Sequence, residues 1–398
     1  MYSQIHQFEP LMPSEARLEP LLSKAHDLSR LATTLAGTRV PPELRSLLRS
    51  MNSYYSNRIE GQHTRPHEIE QALRQNFSQD ATLAAKQRLA VAHIEAEIKL
   101  ETRYSGPHGA QSLYSANAVQ DIHQTLFGQL PASDLFTPEN EAIVPGAWRA
   151  RDVEVGQHVA PTHASVPEFL GRWASEYAHV RRGEAALVAI AAAHQRLGWI
   201  HPFVDGNGRV MRLHTHTWLN AMGYTGGLWS PLRGFARRAD RYYALLADAD
   251  SLRRGALDGR GNLSEQALLA WVDFVFDVCL DQINFMTSML DFETLKSRLE
   301  ACLVFEELVL KSGVRQTSLR GLHYLFLSGE EMARGDFKTL LGLGERNATD
   351  ALGALIKRGL LVSDTPQGKV RFGLPQHALR FLFPQLWPEA EADSANLP

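Results

Sequence analysis

His201-Pro202-Phe203-Val204-Asp205-Gly206-Asn207-Gly208-Arg209-Val210-Met211-Arg212 places a base, an acid, glycines and arginines within one short run. A histidine can accept a hydroxyl proton near neutral pH. Asp205 offers a single hard oxygen ligand, which suits a Mg²⁺ ion that draws its other ligands from phosphates and water. Glycines let the backbone approach a phosphate closely. A loop that feeds a helix N-terminus also presents unpaired N–H groups and the positive end of the helix dipole to an anion. Arg209 in the first turn and Arg212 three residues later share a face and can converge on one polyphosphate. Base, metal ligand, anion cradle and charge clamp together describe phosphoryl or nucleotidyl transfer. A Gly-Asn-Gly turn, or a lone packed histidine, would need neither the acid nor the arginines, so a purely structural role is the weaker account.

Apolar spacing predicts the elements that would hold this loop. Residues 207–222 read as the helix leaving it, with Val210, Leu213 and Trp218 facing a core. The alanine-rich run EAALVAIAAAHQRLGWI predicts a buried helix before it, over 185–199; interrupted by His194 and Arg196, it is too short and too polar to span a bilayer. His194, His214 and His216 fall at helical positions around the site and read as packing or supporting residues, since 214 and 216 lack the i, i+4 spacing of a helical metal pair. Further helical spacing covers 15–36, 42–60, 66–77, 81–103, 115–128, 166–182, 238–254 and 264–290, with a break at Gly106-Pro107-His108-Gly109. Prolines punctuate 129–165, where RARDVEVGQHVAP has the alternation of a small hairpin. Beyond residue 300 come two short helices around Gly342 and Gly344, then LLVSD and KVRFG joined by Thr-Pro-Gln-Gly. Helix, turn, helix, hairpin is the order of a winged helix. The expected division is a helical region over 1–114, a catalytic core over 115–292, a winged-helix-like domain over 293–384 and a disordered tail over 385–398.

Composition limits the classes. At 398 residues and 44% hydrophobic, the chain can bury a large core and exceeds one ordinary domain. A formal net charge of -3 excludes a chain-wide basic surface, so bulk attraction to nucleic acid or lipid is not implied. Cys279 and Cys302 are the only cysteines, too few for a disulfide framework or a cysteine-rich zinc site. The opening residues lack the basic patch and apolar run of a signal peptide, so a cytoplasmic location with no membrane partner is expected.

The opening dozen resembles the Fic family motif, His-x-Phe-x-(Asp/Glu)-Gly-Asn-Gly-Arg-x-x-Arg, at every fixed position, and the likeness extends over most of residues 15–290. It implies a mainly α fold: a helical core with a small β-hairpin flap. The implied reaction moves AMP from ATP to a protein Ser, Thr or Tyr hydroxyl, itself included, and releases pyrophosphate. By this resemblance His201 is the base and Asp205 holds Mg²⁺. Gly206, Asn207 and Gly208 cradle the phosphates, and Arg209 and Arg212 clamp the β- and γ-phosphates. Some relatives that phosphorylate carry lysine at a motif glycine, so retention of Gly206 and Gly208 favours AMP transfer. SNRIEG, Ser56 to Gly61, resembles the family's inhibitory (Ser/Thr)-x-x-x-Glu-(Gly/Asn) motif, which implies that Glu60 pairs with Arg212 and displaces the γ-phosphate. Val155, Gly156, Gln157 and His158 fall where the flap covers the nucleotide and aligns a target strand. Tyr242 and Tyr243 fall where a Tyr-Tyr pair lines the nucleoside pocket. Several relatives have an Asn shortly after that pair, where this chain has Asp250.

Two readings from different classes follow. In one the protein is a self-inhibited adenylyltransferase with ATP and Mg²⁺ as co-substrate and cofactor. In the other it is a regulator whose winged helix reads DNA. Arg346, Lys357, Arg358, Lys369 and Arg371 oppose Glu345, Asp350 and Asp364 there, a mild basic excess rather than a strong stripe. A protein-interaction or homodimer module is at least as well supported as DNA binding. A third outcome, removal of AMP from a modified target, uses the same residues.

Overall fold

Helical spacing dominates the chain, and the computed structural model, which describes residues 2–156, 158–179 and 183–386, is built largely of helices. In chain order they are α1 (Glu15–Ala36), α2 (Pro42–Ile59), α3 (Pro66–Leu73), α4 (Ala81–Arg103), α5 (Gly106–Ser112), α6 (Ala116–Phe127), α7 (Val166–Tyr177), α8 (Glu184–Ile200) and α9 (Asn207–Ala221). Then follow α10 (Leu232–Arg237), α11 (Ala239–Ala249), α12 (Glu265–Met289), α13 (Phe292–Val304), α14 (Leu319–Ser328), α15 (Arg334–Leu341), α16 (Glu345–Lys357) and α17 (Gln376–Leu382). Strands β1 (Glu154–Val155) and β2 (His158–Val159) pair antiparallel across Gly156, as do β3 (Leu361–Val362) and β4 (Arg371–Phe372). Among the described residues no helix is long and apolar enough to cross a membrane.

The residues form two compact units. One takes Met1–Ala36, Asn52–Thr64 and Glu68–Ile283; the other takes Gly37–Met51, Arg65–His67 and the chain from Asn284. The boundary expected near 293 thus has a second component, because 37–51 belongs with the C-terminal segment. Glu43 shows why: its carboxylate pairs with Arg371 at 2.5 Å. Residues 387–398, most of the expected tail, lie outside the described residues.

In the first unit, α8 is the central strut. Its alanines let neighbours approach, and α1, α7 and α9 all pack on it. Trp173 and Trp271, both fully buried, donate to the carbonyls of Ala193 and Ala191. The expected break at Gly106-Pro107 is instead the start of α5: Pro107 sits in the first turn, where its missing N–H costs nothing. The helix predicted over 238–254 stops at Ala249, and that over 166–182 at Tyr177.

In the second unit, α14, α15 and α16 precede β3 and β4, and Met332 bridges to Val370 beside them. Sequence spacing anticipated α15, α16 and the hairpin, but not α13, α14 or α17. A buried carboxylate, Glu306, receives the Arg358 guanidinium at 2.7 and 2.8 Å and lies 3.0 Å from His377. Arg371 is paired with Glu43 and Asp364. Two of the five basic residues counted toward a DNA-binding face are therefore already neutralised by carboxylates.

Candidate active site

The motif loop joins two buried helices, and its geometry follows from its glycines and its histidine. His201 ends α8 in the left-handed region, at φ 49° and ψ 62°. Gly206, at φ 81°, opens α9. A Cβ at Gly206 would lie 2.3 Å from the Phe127 ring, so only glycine fits. Asn207 spends its side chain on the loop: Nδ2 donates to Phe203 O and Oδ1 accepts from Phe203 N–H, both at 2.9 Å. That amide therefore shapes the cradle rather than reaching into it. Among the described residues no side chain caps α9, which leaves its first-turn N–H groups for an anion.

A cavity of about 630 Å³ opens over this helix end, a size within the range of roughly 300–1,000 Å³ usual for small-molecule sites. His201, Asn207, Gly208, Arg212, Glu60, Tyr242 and Tyr243 line it, with Val155, Gly156 and His158 of the hairpin. Gln157 lies outside the described residues. Asp205 and Arg209 are not among its lining residues. Asp205 Oδ1 accepts from Gly206 N–H at 2.6 Å, and its side chain is 40% exposed. One carboxylate oxygen thus remains for a hard cation that keeps water and phosphate ligands, so the residue fits the Mg²⁺ that the family pattern implies.

Both arginines are held from α2. Arg212 is fully buried; its Nε donates to Ser56 Oγ at 3.0 Å, and Nη2 donates to Ser56 O at 2.9 Å and Glu60 Oε1 at 2.6 Å. Arg209 Nε donates to Asn57 Oδ1 at 3.0 Å. The Glu60 carboxylate lies directly over the helix end: a Cβ on Gly208 would fall 2.2 Å from Glu60 Oε1. Burial alone would raise the Glu60 pKa, but Arg212 and Arg209 overcome it and hold the carboxyl below its ordinary value. Glu60 is an anion in an anion seat.

Other partners were not legible beforehand. Tyr242, fully buried, lies with its hydroxyl 3.0 Å from His194 Nε2, and His194 Nδ1 lies 2.8 Å from Thr215 Oγ1. Tyr242 also hydrogen-bonds Arg212, so one of the paired tyrosines orients the clamp. Tyr243 is 46% exposed and donates to Ile59 O at 2.7 Å. Asp250 lines the cavity, accepts from Gln195 at 2.7 Å, and burial raises its pKa to about 6. His216 lies 3.1 Å from Glu101 and 3.4 Å from Glu97, a buried polar knot between α9 and α4. His123 stacks on Phe203, accepts from Gly146 N–H at 2.8 Å, and places Nε2 3.2 Å from Asp205 O. In the neutral ring only Nε2 then carries the proton, donated to that carbonyl.

His201 itself is a depressed base. Burial first, then the neighbouring His158 and Arg149, lower its pKa to about 4, while Glu60 pulls it upward. At neutral pH the ring is uncharged and can take a proton.

Residues 113–219, which contain this loop and the hairpin, match the family model described as Fic/DOC family. Within this stretch the chain is similar to the Fic/DOC family. Proteins named "Protein adenylyltransferase Fic" from Drosophila mojavensis and Drosophila virilis are 33% and 34% identical over 116 residues, 29% of this chain. The chain spans about a quarter of the length of these curated relatives, 23% and 24%. A solved Fic family protein from Desulfovibrio desulfuricans G20 shares the fold over 92% of this chain and 99% of its own, with TM-score 0.55 and 17% identity. Fic-1 from C. elegans matches over 69% of this chain and 75% of its own, with TM-score 0.50 and 17% identity. The mainly α architecture with its hairpin beside the motif is thus that of the Fic fold.

Proposed function

We propose that the Fic domain transfers AMP from ATP to a Ser, Thr or Tyr hydroxyl of a protein, and that Glu60 restrains it. The observation that carries this reading is the meeting, at one uncapped helix end, of a neutral His201, the Arg212 guanidinium and a carboxylate seated where a phosphate would bind. The names of the Drosophila relatives support the reaction class. In the forward step the target oxygen bonds to the α-phosphorus and its proton passes to the His201 ring. The bond from the α-phosphorus to the bridging oxygen breaks, and pyrophosphate leaves with that electron pair. The α9 N–H groups and the two arginines hold the phosphates, and Tyr243 and the hairpin wall the nucleoside end. Asp205 would hold Mg²⁺, which when bound offsets phosphate charge. The second unit acts in choosing partners, with protein favoured over DNA because Arg358 and Arg371 are already ion-paired.

ATP labelled at the α-phosphate should label Glu60→Gly protein or an added protein target, whereas γ-labelled ATP should not. Labelling from the γ position alone would identify a kinase, and labelling from neither would remove the transferase reading. Asp205→Asn replaces a hard anionic ligand with a neutral amide. It should raise the half-saturating Mg²⁺ concentration about tenfold or more, as expected for loss of one charge-assisted contact. A Mg²⁺ titration that superimposes on the parent curve would take Asp205 out of the site.

A further inference from the structure

Arg149 lies outside the motif, lines no part of the cavity, and has a fully buried side chain. Among the described residues no carboxylate lies within hydrogen-bonding distance; the nearest of them, Asp152, is 3.9 Å away. Its donors go instead to backbone carbonyls. Nε donates to His201 O at 2.8 Å, Nη1 to Arg151 O at 2.8 Å, and Nη2 to Pro161 O and, more weakly, to Ile200 O at 3.5 Å. Its own N–H donates to Pro202 O at 2.9 Å. One residue thus ties down three consecutive carbonyls, 200 to 202, at the end of α8. Helix-terminal carbonyls have no intrahelical donor and carry the negative end of the dipole, so a buried guanidinium is a fitting partner.

The peptide so held is the one where His201 turns left-handed, at φ 49°. A non-glycine residue rarely adopts that conformation and keeps it only where its surroundings determine it several times over. We propose that Arg149 is a positioning residue for transfer, fixing the left-handed backbone of His201 so that its imidazole points into the cavity. The same guanidinium spans from α8 to Arg151 and Pro161, on either side of the hairpin. It therefore couples the base to the flap that covers the nucleotide. Its charge also acts on the ring: after burial and His158, Arg149 is the next influence that lowers the His201 pKa. Glu60 works in the opposite sense, and Arg212 and Asp250 line the same cavity.

This inference rests on His201 being the base, so its test needs a readout that does not depend on transfer. Full-length protein with Arg149→Met and Arg149→Lys, each in the Glu60→Gly background, is compared by melting temperature, kinetics and histidine-ring NMR. The His201 resonance is assigned by its loss in His201→Ala. Arg149→Met should lower kcat by about tenfold or more, since small displacements of a reacting group are costly, while KM for ATP stays within about twofold. The His201 ring should titrate at higher pH, because a nearby positive charge has gone, and the acid limb of kcat/KM should move with it. Arg149→Lys keeps the charge and some donors, so it should recover part of kcat and return the titration toward that of the parent. A folded Arg149→Met whose His201 titration and kcat match the parent overturns the proposal. So does a variant that loses melting temperature and rate together while His201 titrates as before, which would make Arg149 a fold-holding residue only. Loss of transfer in every protein, parent included, would bear on the transferase reading, and the NMR titration would still decide the role of Arg149.

Discussion

His201→Ala should abolish measurable AMP transfer while leaving ATP affinity within a few-fold. In the proposed reaction the imidazole removes the target proton, a contribution of about 10²–10⁴ in rate for a general base. On the same proposal the nucleotide is assigned to the α9 N-terminus and to Arg209 and Arg212, whose contacts run to Ser56, Asn57 and Glu60 rather than to His201. The comparison is made in Glu60→Gly protein, with calorimetric ATP binding beside α-labelled transfer. A parallel loss of binding, or of the melting transition, would assign His201 to the cradle or the core instead. The pH profile gives a second check with a definite sign. Because the free-protein pKa lies at about 4 rather than 6.5, the ring is already deprotonated at pH 6. The kcat/KM profile, which reports the free enzyme, should be flat from pH 6 to 8 in its His201 limb and fall only as pH approaches about 4. A limb near pH 6.5 would mean that neither burial nor the His158 and Arg149 charges reach the ring. The depressed pKa also means that protonating His201 favours unfolding, so its cost to stability grows as pH falls below the ordinary histidine value.

Helical spacing carried much of the fold. The predicted ranges 15–36 and 81–103 are the observed α1 and α4, because each is a long amphipathic run with a clear stop. Shorter elements failed for physical reasons: α5 begins with Gly106 and Pro107, which read as breakers, and α10 is too short to show a period. The site divides in the same way. The loop was legible because its residues are consecutive and chemically unusual. Its supports were not. Asn57 meets Arg209 across 152 positions, Arg149 meets the His201 carbonyl across 52, and His123 meets the Asp205 carbonyl across 82. Two of these three are contacts to backbone atoms, which every residue has, so no residue pattern announces them. Asn207 shows the converse: a motif residue whose side chain serves Phe203. Tyr242 is another, for its hydroxyl serves His194 and Arg212 as well as lining the cavity.

Glu60→Gly should raise AMP transfer, self-modification included, on the order of a hundredfold, since misalignment of a reacting centre carries a cost of that size. The reason lies in one seat with two claimants. Glu60 Oε1 sits 2.6 Å from Arg212 Nη2 and over Gly208, where a phosphate would take both the guanidinium and the helix N-terminus. On the proposed reading, while the carboxylate stays the γ-phosphate would be displaced and the α-phosphate poorly presented to His201. Acid will not release it within the working range. Arg212 and Arg209 hold Glu60 below the ordinary carboxyl pKa despite its burial, so the pair is fully formed above that ordinary value and is lost only as pH falls through the lowered one. Removal of the side chain is therefore the clean test. Glu60→Gly combined with Arg212→Ala should forfeit most of the gain, because the two changes act through one contact and cannot add. Full additivity would place the action of Glu60 elsewhere. If Glu60 instead directs water onto AMP already attached to a target, Glu60→Gly should abolish that release while transfer rises, and a pre-labelled target reads the two separately. A Glu60→Gly protein that transfers no faster than the parent to any hydroxyl, its own included, would reduce SNRIEG to the end of α2.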